Sequence, residues 1–136
     1  MGDQFIGKWK MVHSDKYDDF LRTLGVPWLT RKAACSSSPT IEITKNASTG
    51  TWQLKVDSAF KTSIIVFKLN EELEETRVDG EKVVTTFTLE GDKLVQRCKG
   101  SVDYTIVREV ANEVLKATMT AKDVTALRLY KKEAAK

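Results

Sequence analysis

The chain has 136 residues, 22 basic against 19 acidic side chains for a net charge of +3, and a hydrophobic content of 41%. That length fits one domain of ~100–150 residues with its own core. The composition is too apolar for a disordered chain, seven glycines and two prolines exclude collagen-like and linker-like classes, and so small a net charge excludes a strongly cationic nucleic-acid binder.

Met1-Gly2-Asp3-Gln4-Phe5-Ile6 lacks the apolar stretch of a secretory signal, and no apolar run reaches the ~18 residues of a membrane span. Gly2 invites myristoylation, but that motif needs Ser or Thr at position 6, where Ile6 stands. Strand-like runs rich in Val, Ile, Thr and aromatics then recur along the chain: Trp9–Ser14, Thr40–Lys45, Thr51–Asp57, Ser63–Leu69, a weaker acidic Glu71–Thr76, Lys82–Leu89, Lys93–Lys99, Tyr104–Val110, Val114–Thr120 and Thr125–Tyr130. Turn residues separate them at Asn46–Gly50, Asp79-Gly80, Glu90-Gly91-Asp92, Ala111-Asn112 and Lys122-Asp123. The economical topology is an all-β, up-and-down antiparallel barrel of about ten strands.

One segment breaks the alternation. Tyr17, Phe20, Leu21 and Leu24 follow the helical i, i+3, i+4, i+7 spacing, Ser14 or Asp15 offers a cap, and Gly25 a stop. A second short helix is expected from Val26-Pro27-Trp28 through Ala33-Ala34, before Ser36–Ser38 and Pro39. Without a basic recognition face, this pair predicts a lid on the barrel rather than a DNA reader. Lys131–Lys136 reads as a charged tail. Cys35 and Cys98, 63 positions apart, match no metal or redox spacing and are expected to be free thiols; Asn46-Ala47-Ser48 fits a glycosylation acceptor only by pattern.

A ten-strand barrel in so short a chain should enclose a cavity suited to a small apolar ligand. Arg108 shares one strand face with Tyr104, Ile106 and Val110, and Arg128 shares one with Ala126 and Tyr130. If those faces point inward, two guanidinium groups lie inside and need an anion, and Tyr130 adds a hydroxyl. Leu127 and Leu129 make the opposite face of the last strand equally apolar, so parity alone leaves its direction open.

These residues also carry a resemblance. Phe5-Ile6-Gly7-Lys8-Trp9-Lys10-Met11-Val12, Tyr17-Asp18-Asp19-Phe20-Leu21, Gly25-Val26, Thr30-Arg31-Lys32-Ala33, Phe60-Lys61, Glu72-Leu73-Glu74-Glu75-Thr76, Asp79-Gly80, Lys82-Val83, Thr105-Ile106-Val107-Arg108 and Val124–Tyr130 resemble, in order and spacing, the intracellular lipid-binding proteins. The likeness is nearest to the heart, adipocyte and myelin types of fatty-acid-binding protein. It implies a single lipid-binding domain over 1–136, a β-clam with a helix-turn-helix cap between strands 1 and 2. It also implies that Arg108, Arg128 and Tyr130 hold a ligand carboxylate, that Val26 and Phe60 mark the portal, and that Phe20 and Leu21 face the acyl chain. Retinol carriers typically place glutamines at the two arginine positions, so an acid is favoured over an alcohol. Lys16, the long Asn46–Gly50 turn, Glu81 in place of a basic residue, and Gly100 where several members have Trp depart from the pattern.

The expected function is non-enzymatic carriage of a long-chain fatty acid or similar hydrophobic carboxylate by a cytoplasmic monomer, with nuclear residence open. A retinoic-acid-type carrier is the alternative, and a scaffold or partner-binding protein a more distant one. Arg22, Arg31, Lys32 and Lys61 are candidates for transient contact with anionic membranes. Gly7-Lys8-Trp9 also fits the Gly-x-Trp of secreted lipocalins, which are longer and usually disulfide-bonded. His13, the single histidine, has no nucleophile beside it in sequence, and no metal cluster or phosphate-binding glycine loop is present, so no catalytic residue, cofactor or metal is expected.

Overall fold

The computed structural model describes residues 2–134. After a 3-10 turn at Asp3–Phe5, the chain forms β1 (Gly7–Asp15), α1 (Tyr17–Thr23), α2 (Trp28–Cys35), β2 (Thr40–Asn46), β3 (Thr51–Asp57), β4 (Thr62–Phe67), β5 (Glu72–Thr76), β6 (Lys82–Glu90), β7 (Lys93–Lys99), β8 (Tyr104–Ala111), β9 (Val114–Ala121) and β10 (Val124–Lys132). The strands make one 10-stranded antiparallel sheet in the order β4-β3-β2-β1-β10-β9-β8-β7-β6-β5. Every neighbour is the next strand in sequence except β1 and β10, whose ladder joins the two ends of the chain. The expected up-and-down barrel with a helical cap between its first two strands is therefore formed. It is nearly closed: β4 and β5 are the sheet edges and share no ladder.

Alternation places the core. On β7, Leu94, Gln96 and Cys98 are buried while Lys93, Arg97 and Lys99 are exposed, a period of two interrupted at Val95, which is buried on the outer face. One buried cluster gathers Phe5, Trp9, Trp52, Phe67, Phe87 and Leu115. Phe67 and Phe87 stack with ring centroids 3.8 Å apart, and Trp9 Nε1 donates to the Phe5 carbonyl at 3.0 Å. A second cluster joins Phe20, Leu21, Leu24 and Val26 of the cap region to Val83, Tyr104 and Met119 of the wall.

The cap starts and stops differently. No side chain caps α1; Lys16 precedes it in a left-handed conformation (φ 60), and Ser14 and Asp15 belong to β1. The expected Ser or Asp cap is thus replaced by a sharp backbone reversal that lets β1 run straight into the helix. The C-terminal stop at Gly25 holds: at φ 87 its N–H donates to Arg22 O, and Val26 N–H donates to Leu21 O at 3.1 Å. This paired bonding ends a helix by a left-handed residue and brings Val26 against Leu21. The expected charged tail is shorter than the sequence implied, because β10 continues to Lys132 and Glu133 N–H donates to Lys8 O at 2.8 Å; residues 135–136 of that tail lie outside the described residues.

Two departures from the family pattern turn out to be neighbours. Glu81 accepts from Ser101 Oγ at 2.7 Å and from Ser101 N at 3.3 Å, so its carboxylate lies against residue 100. A Cβ at Gly100 would lie 2.7 Å from Glu81 Oε2 and 2.9 Å from Val83 Cγ1. Gly100→Ala should therefore lower stability by about 1–2 kcal/mol, through overpacking, and less in a Glu81→Ala background. Urea midpoints of the two single variants and the double variant check this.

Candidate functional site

Between the aromatic cluster and the cap the fold leaves a cavity of about 470 Å³. Its apolar lining comes from Phe20, Leu21 and Leu24 around α1, Leu54 and Val56 on β3, and Ile106 and Met119 on β8 and β9. This size suits a small-molecule site rather than a packing defect.

The direction left open by parity is settled by the ladders. β10 pairs Ala126 with Met119 and Arg128 with Ala117, all buried, while Leu127 and Leu129 are only half-buried. Arg128 is 5% exposed and Arg108 9%, and both line the cavity. Arg128 Nε donates to Ser14 Oγ at 3.1 Å, and its guanidinium carbon lies 3.5 Å from the centre of the Tyr17 ring at the start of α1. Its Nη2 is buried without a hydrogen-bond partner. Arg108 Nη1 donates to Gln96 Oε1 at 2.8 Å. Among the described residues neither arginine has a carboxylate within ion-pair distance. Burial pushes the Arg108 pKa down, with the Tyr130 phenol, the Cys98 thiol, the Glu75 carboxylate and the Tyr104 phenol opposing. Burial likewise pushes the Tyr17 hydroxyl up, and the Arg128 charge works against that shift.

The remaining expected residues fall in three places. Phe20 and Leu21 line the cavity. Phe60 also lines it and is 39% exposed in the loop between β3 and β4, where interior meets solvent. Val26 is 2% exposed and packs in the cluster under the cap, and Tyr130 is 7% exposed within the aromatic cluster beside the cavity; neither is among the lining residues. Cys35 and Cys98 are free thiols, one exposed and one buried.

Several polar wall groups escaped the sequence reading. Glu75 Oε1 accepts from Thr85 Oγ1 at 2.7 Å and from Gln96 Nε2 at 3.4 Å, so Gln96 bridges Glu75 to Arg108. A glutamine alternating with Leu94 and Cys98 on one strand face was the available signal. Arg77, 8% exposed, just past β5, was also missed. Its Nε and Nη2 donate to the two Asp79 oxygens at 2.8 and 2.7 Å, and Nη2 reaches the Leu24 carbonyl at 3.3 Å. This contact ties the end of α1 to the loop between β5 and β6.

The Arg77 hydrogen bonds hold the Asp79 carboxyl below its ordinary value, against the opposing effect of burial. A carboxyl depressed in the fold stabilises it fully above the unfolded value of ~3.9, and that stabilisation fades as pH falls through the depressed one. Asp79→Asn should therefore flatten the acid limb of stability against pH. Denaturant titrations from neutral pH down to about pH 3 check this, since Asp18 and Glu90 titrate alike in both proteins.

The sequence and the fold recur in known proteins. The model of the Lipocalin / cytosolic fatty-acid binding protein family matches residues 3–134. The fatty acid-binding protein of Tyrophagus putrescentiae is 47% identical over 131 residues, 96% of this chain and 98% of that protein. The Schistosoma mansoni fatty acid binding protein, solved in complex with arachidonic acid, superposes with a TM-score of 0.92 at 33% identity, covering 98% of each chain. The fatty acid-binding protein from brain tissue of Drosophila melanogaster superposes with a TM-score of 0.87 at 42% identity, covering 93% of this chain and 98% of its own. With a capped ten-strand barrel, an internal cavity and a family match over nearly its whole length, the chain belongs to the lipocalin and cytosolic fatty-acid binding protein family.

Proposed function

We propose that this protein is a non-enzymatic carrier of a long-chain fatty acid, working as a cytoplasmic monomer. The observation that carries the reading is the pair of buried guanidinium groups, Arg108 and Arg128, facing a largely apolar cavity with no carboxylate in direct ion-pair contact among the described residues, Glu75 reaching Arg108 only through Gln96. An unpaired buried charge costs several kcal/mol, so the cavity favours a ligand that brings an anion. Arginine's planar fork suits a carboxylate, and Arg128 Nη2, buried without a protein acceptor, has no hydrogen bond to give up for one. Arg108, held by Gln96, adds positive potential or a second contact. Tyr130 joins the set through its place two residues after Arg128 on the same inward face. The acyl chain then lies along Phe20, Leu21 and the β3 wall, contributing roughly 0.8 kcal/mol per buried methylene before ordering costs.

Support also comes from the relatives: the Tyrophagus protein is named for fatty-acid binding, and the Schistosoma protein was solved in complex with arachidonic acid. The heart, adipocyte and myelin likeness draws on the Arg108, Arg128, Tyr130 pattern, which the retinoic-acid carriers share. Titration of oleic acid into purified, delipidated protein tests the carrier reading. Arg128→Met should weaken oleate about tenfold to a hundredfold, the worth of a charge-assisted hydrogen bond, while sparing a neutral apolar probe. Equal losses for both ligands would make Arg128 a structural residue, and oleate that does not bind the native protein would end the carrier reading.

Unloading at anionic membranes is part of the same proposal. On α2, Trp28 is 60% exposed and Leu29 72%, with Lys32 Nζ 5.1 Å from the centre of the Trp28 ring. Of the four basic candidates, Arg31 is already engaged, donating to Asp18 Oδ1 at 3.0 Å and Val26 O at 2.9 Å, and Arg22 pairs with Asp18. Lys32 and Lys61 remain as lipid-facing charges. Trp28→Ser with Leu29→Ser should slow transfer to anionic vesicles severalfold at unchanged affinity, and added salt should slow the native protein. A transfer rate indifferent to both would remove membrane docking from the account.

A further inference from the structure

One carboxylate faces the cavity with no cation bonded to it. On β5, Leu73 and Glu75 alternate with the exposed Glu72, Glu74 and Thr76, so Glu75 points inward, and it lines the cavity. Among the described residues it forms no ion pair. Its Oε1 is fixed to the inner wall by two buried residues, accepting from Thr85 Oγ1 at 2.7 Å and from Gln96 Nε2 at 3.4 Å. Among the described residues its Oε2 accepts no hydrogen bond, and it is not closed off by the wall around it. That oxygen is an acceptor open to whatever occupies the cavity.

Sheet topology places it along the ligand. β5 and β10 stand five places apart in a 10-stranded sheet that nearly closes, which sets Glu75 across the barrel from Arg128. A carboxylate held at Arg128 would therefore leave Glu75 beside a later part of the acyl chain. Charge then decides what Oε2 takes. Arg77 is paired with Asp79, and Lys61 and Glu74 are exposed, so the interior lining charges that remain are Arg108, Arg128 and Glu75, one net positive charge. A single ligand carboxylate neutralises it. A second carboxylate would meet Glu75, and a ligand cation would restore the imbalance. A ketone or epoxide oxygen offers only lone pairs to another acceptor. A hydroxyl donates, adds no charge and replaces the water that a plain acyl chain would strip from Oε2. We propose that Glu75 forms a second polar subsite, which selects fatty acids carrying a hydroxyl group part-way along the chain. This rests on the carrier reading, with the ligand carboxylate at Arg128.

Stearic acid, hydroxystearic acids with the hydroxyl moved stepwise along the chain, and the matching ketostearic acids isolate the subsite. Within each hydroxy and keto pair, the oxygen keeps its place and hydrogen-bond donation is what changes. In competition against a fluorescent fatty acid, at least one hydroxy isomer should bind the native protein about tenfold more tightly than its keto partner and than stearic acid, the worth of one hydrogen bond to a charged group. Glu75→Gln keeps an acceptor for Thr85 and offers an amide donor to the cavity, so the same pair should draw level or reverse. Glu75→Leu, which removes both functions, should bring their ratio to about one and serves if the Gln variant does not fold. A native protein that prefers no hydroxy isomer over its keto partner would overturn the subsite and leave the carrier reading intact. A preference that survives both substitutions would overturn the role of Glu75. Binding of none of these acids would remove the carrier reading and this proposal with it.

Discussion

Arg108 and Arg128 lie inside the barrel, nine-tenths or more buried, in direct contact with a glutamine, a serine hydroxyl and a tyrosine ring, the nearest wall carboxylate, Glu75, meeting Arg108 only through Gln96. Burying a charge without its counterion opposes folding by several kcal/mol, so the rest of the molecule has to over-determine their position. It does so with the aromatic cluster at one end, where Trp9, Trp52, Phe67 and Phe87 pack without exposure above a few per cent. The ladder between β1 and β10 anchors the strand that carries Arg128. The cavity is the space that these rigid parts do not fill, and the guanidinium groups give it a sign.

The cap is coupled to the same charges. Arg128 holds the start of α1 through Tyr17, and Arg77 holds its end through the Leu24 carbonyl. Between those anchors, Phe20 meets Tyr104 edge-on at 5.7 Å, and Val26 closes over Leu21. A ligand head group at Arg128 therefore arrives at a side chain already engaged with the lid. This gives ligand binding and cap position a shared residue, so occupancy and opening need not be independent. At the other edge, the unpaired flanks of β4 and β5 and the exposed ring of Phe60 leave the wall least reinforced where the cavity meets solvent.

Much of this was legible before any coordinates. Alternation and turn chemistry located all ten strands, because most set a buried face against a more polar one and many end in turns such as Asp79-Gly80 or Lys122-Asp123. The inward direction of Arg108 followed from Tyr104 and Ile106 on its face. That of Arg128 did not, since Leu127 and Leu129 look as apolar as Ala126 and Tyr130; only the pairing with β9 and β1 decides it. Local pattern also says nothing about which strands fail to pair, so the break between β4 and β5 was invisible. The helix start was misplaced because Ser14, a good capping residue by type, accepts from Arg128 instead. Glu81 and Gly100 looked like unrelated departures until their contact appeared, and Arg77 was hidden because its partner Asp79 read simply as a turn residue.

The central claim is that the buried charges are kept for the ligand at a cost to the empty fold. Replacing Arg108 and its partner Gln96 together, as Arg108→Met with Gln96→Leu, removes both members of a buried polar pair and leaves Glu75 its shorter hydrogen bond, from Thr85 Oγ1. Denaturant unfolding of the ligand-free double variant, with oleate affinity measured alongside, tests the claim most directly. The account predicts stability equal to or above that of the native protein, together with oleate binding weakened about tenfold. A double variant that is clearly destabilised yet binds oleate as tightly as before would contradict it.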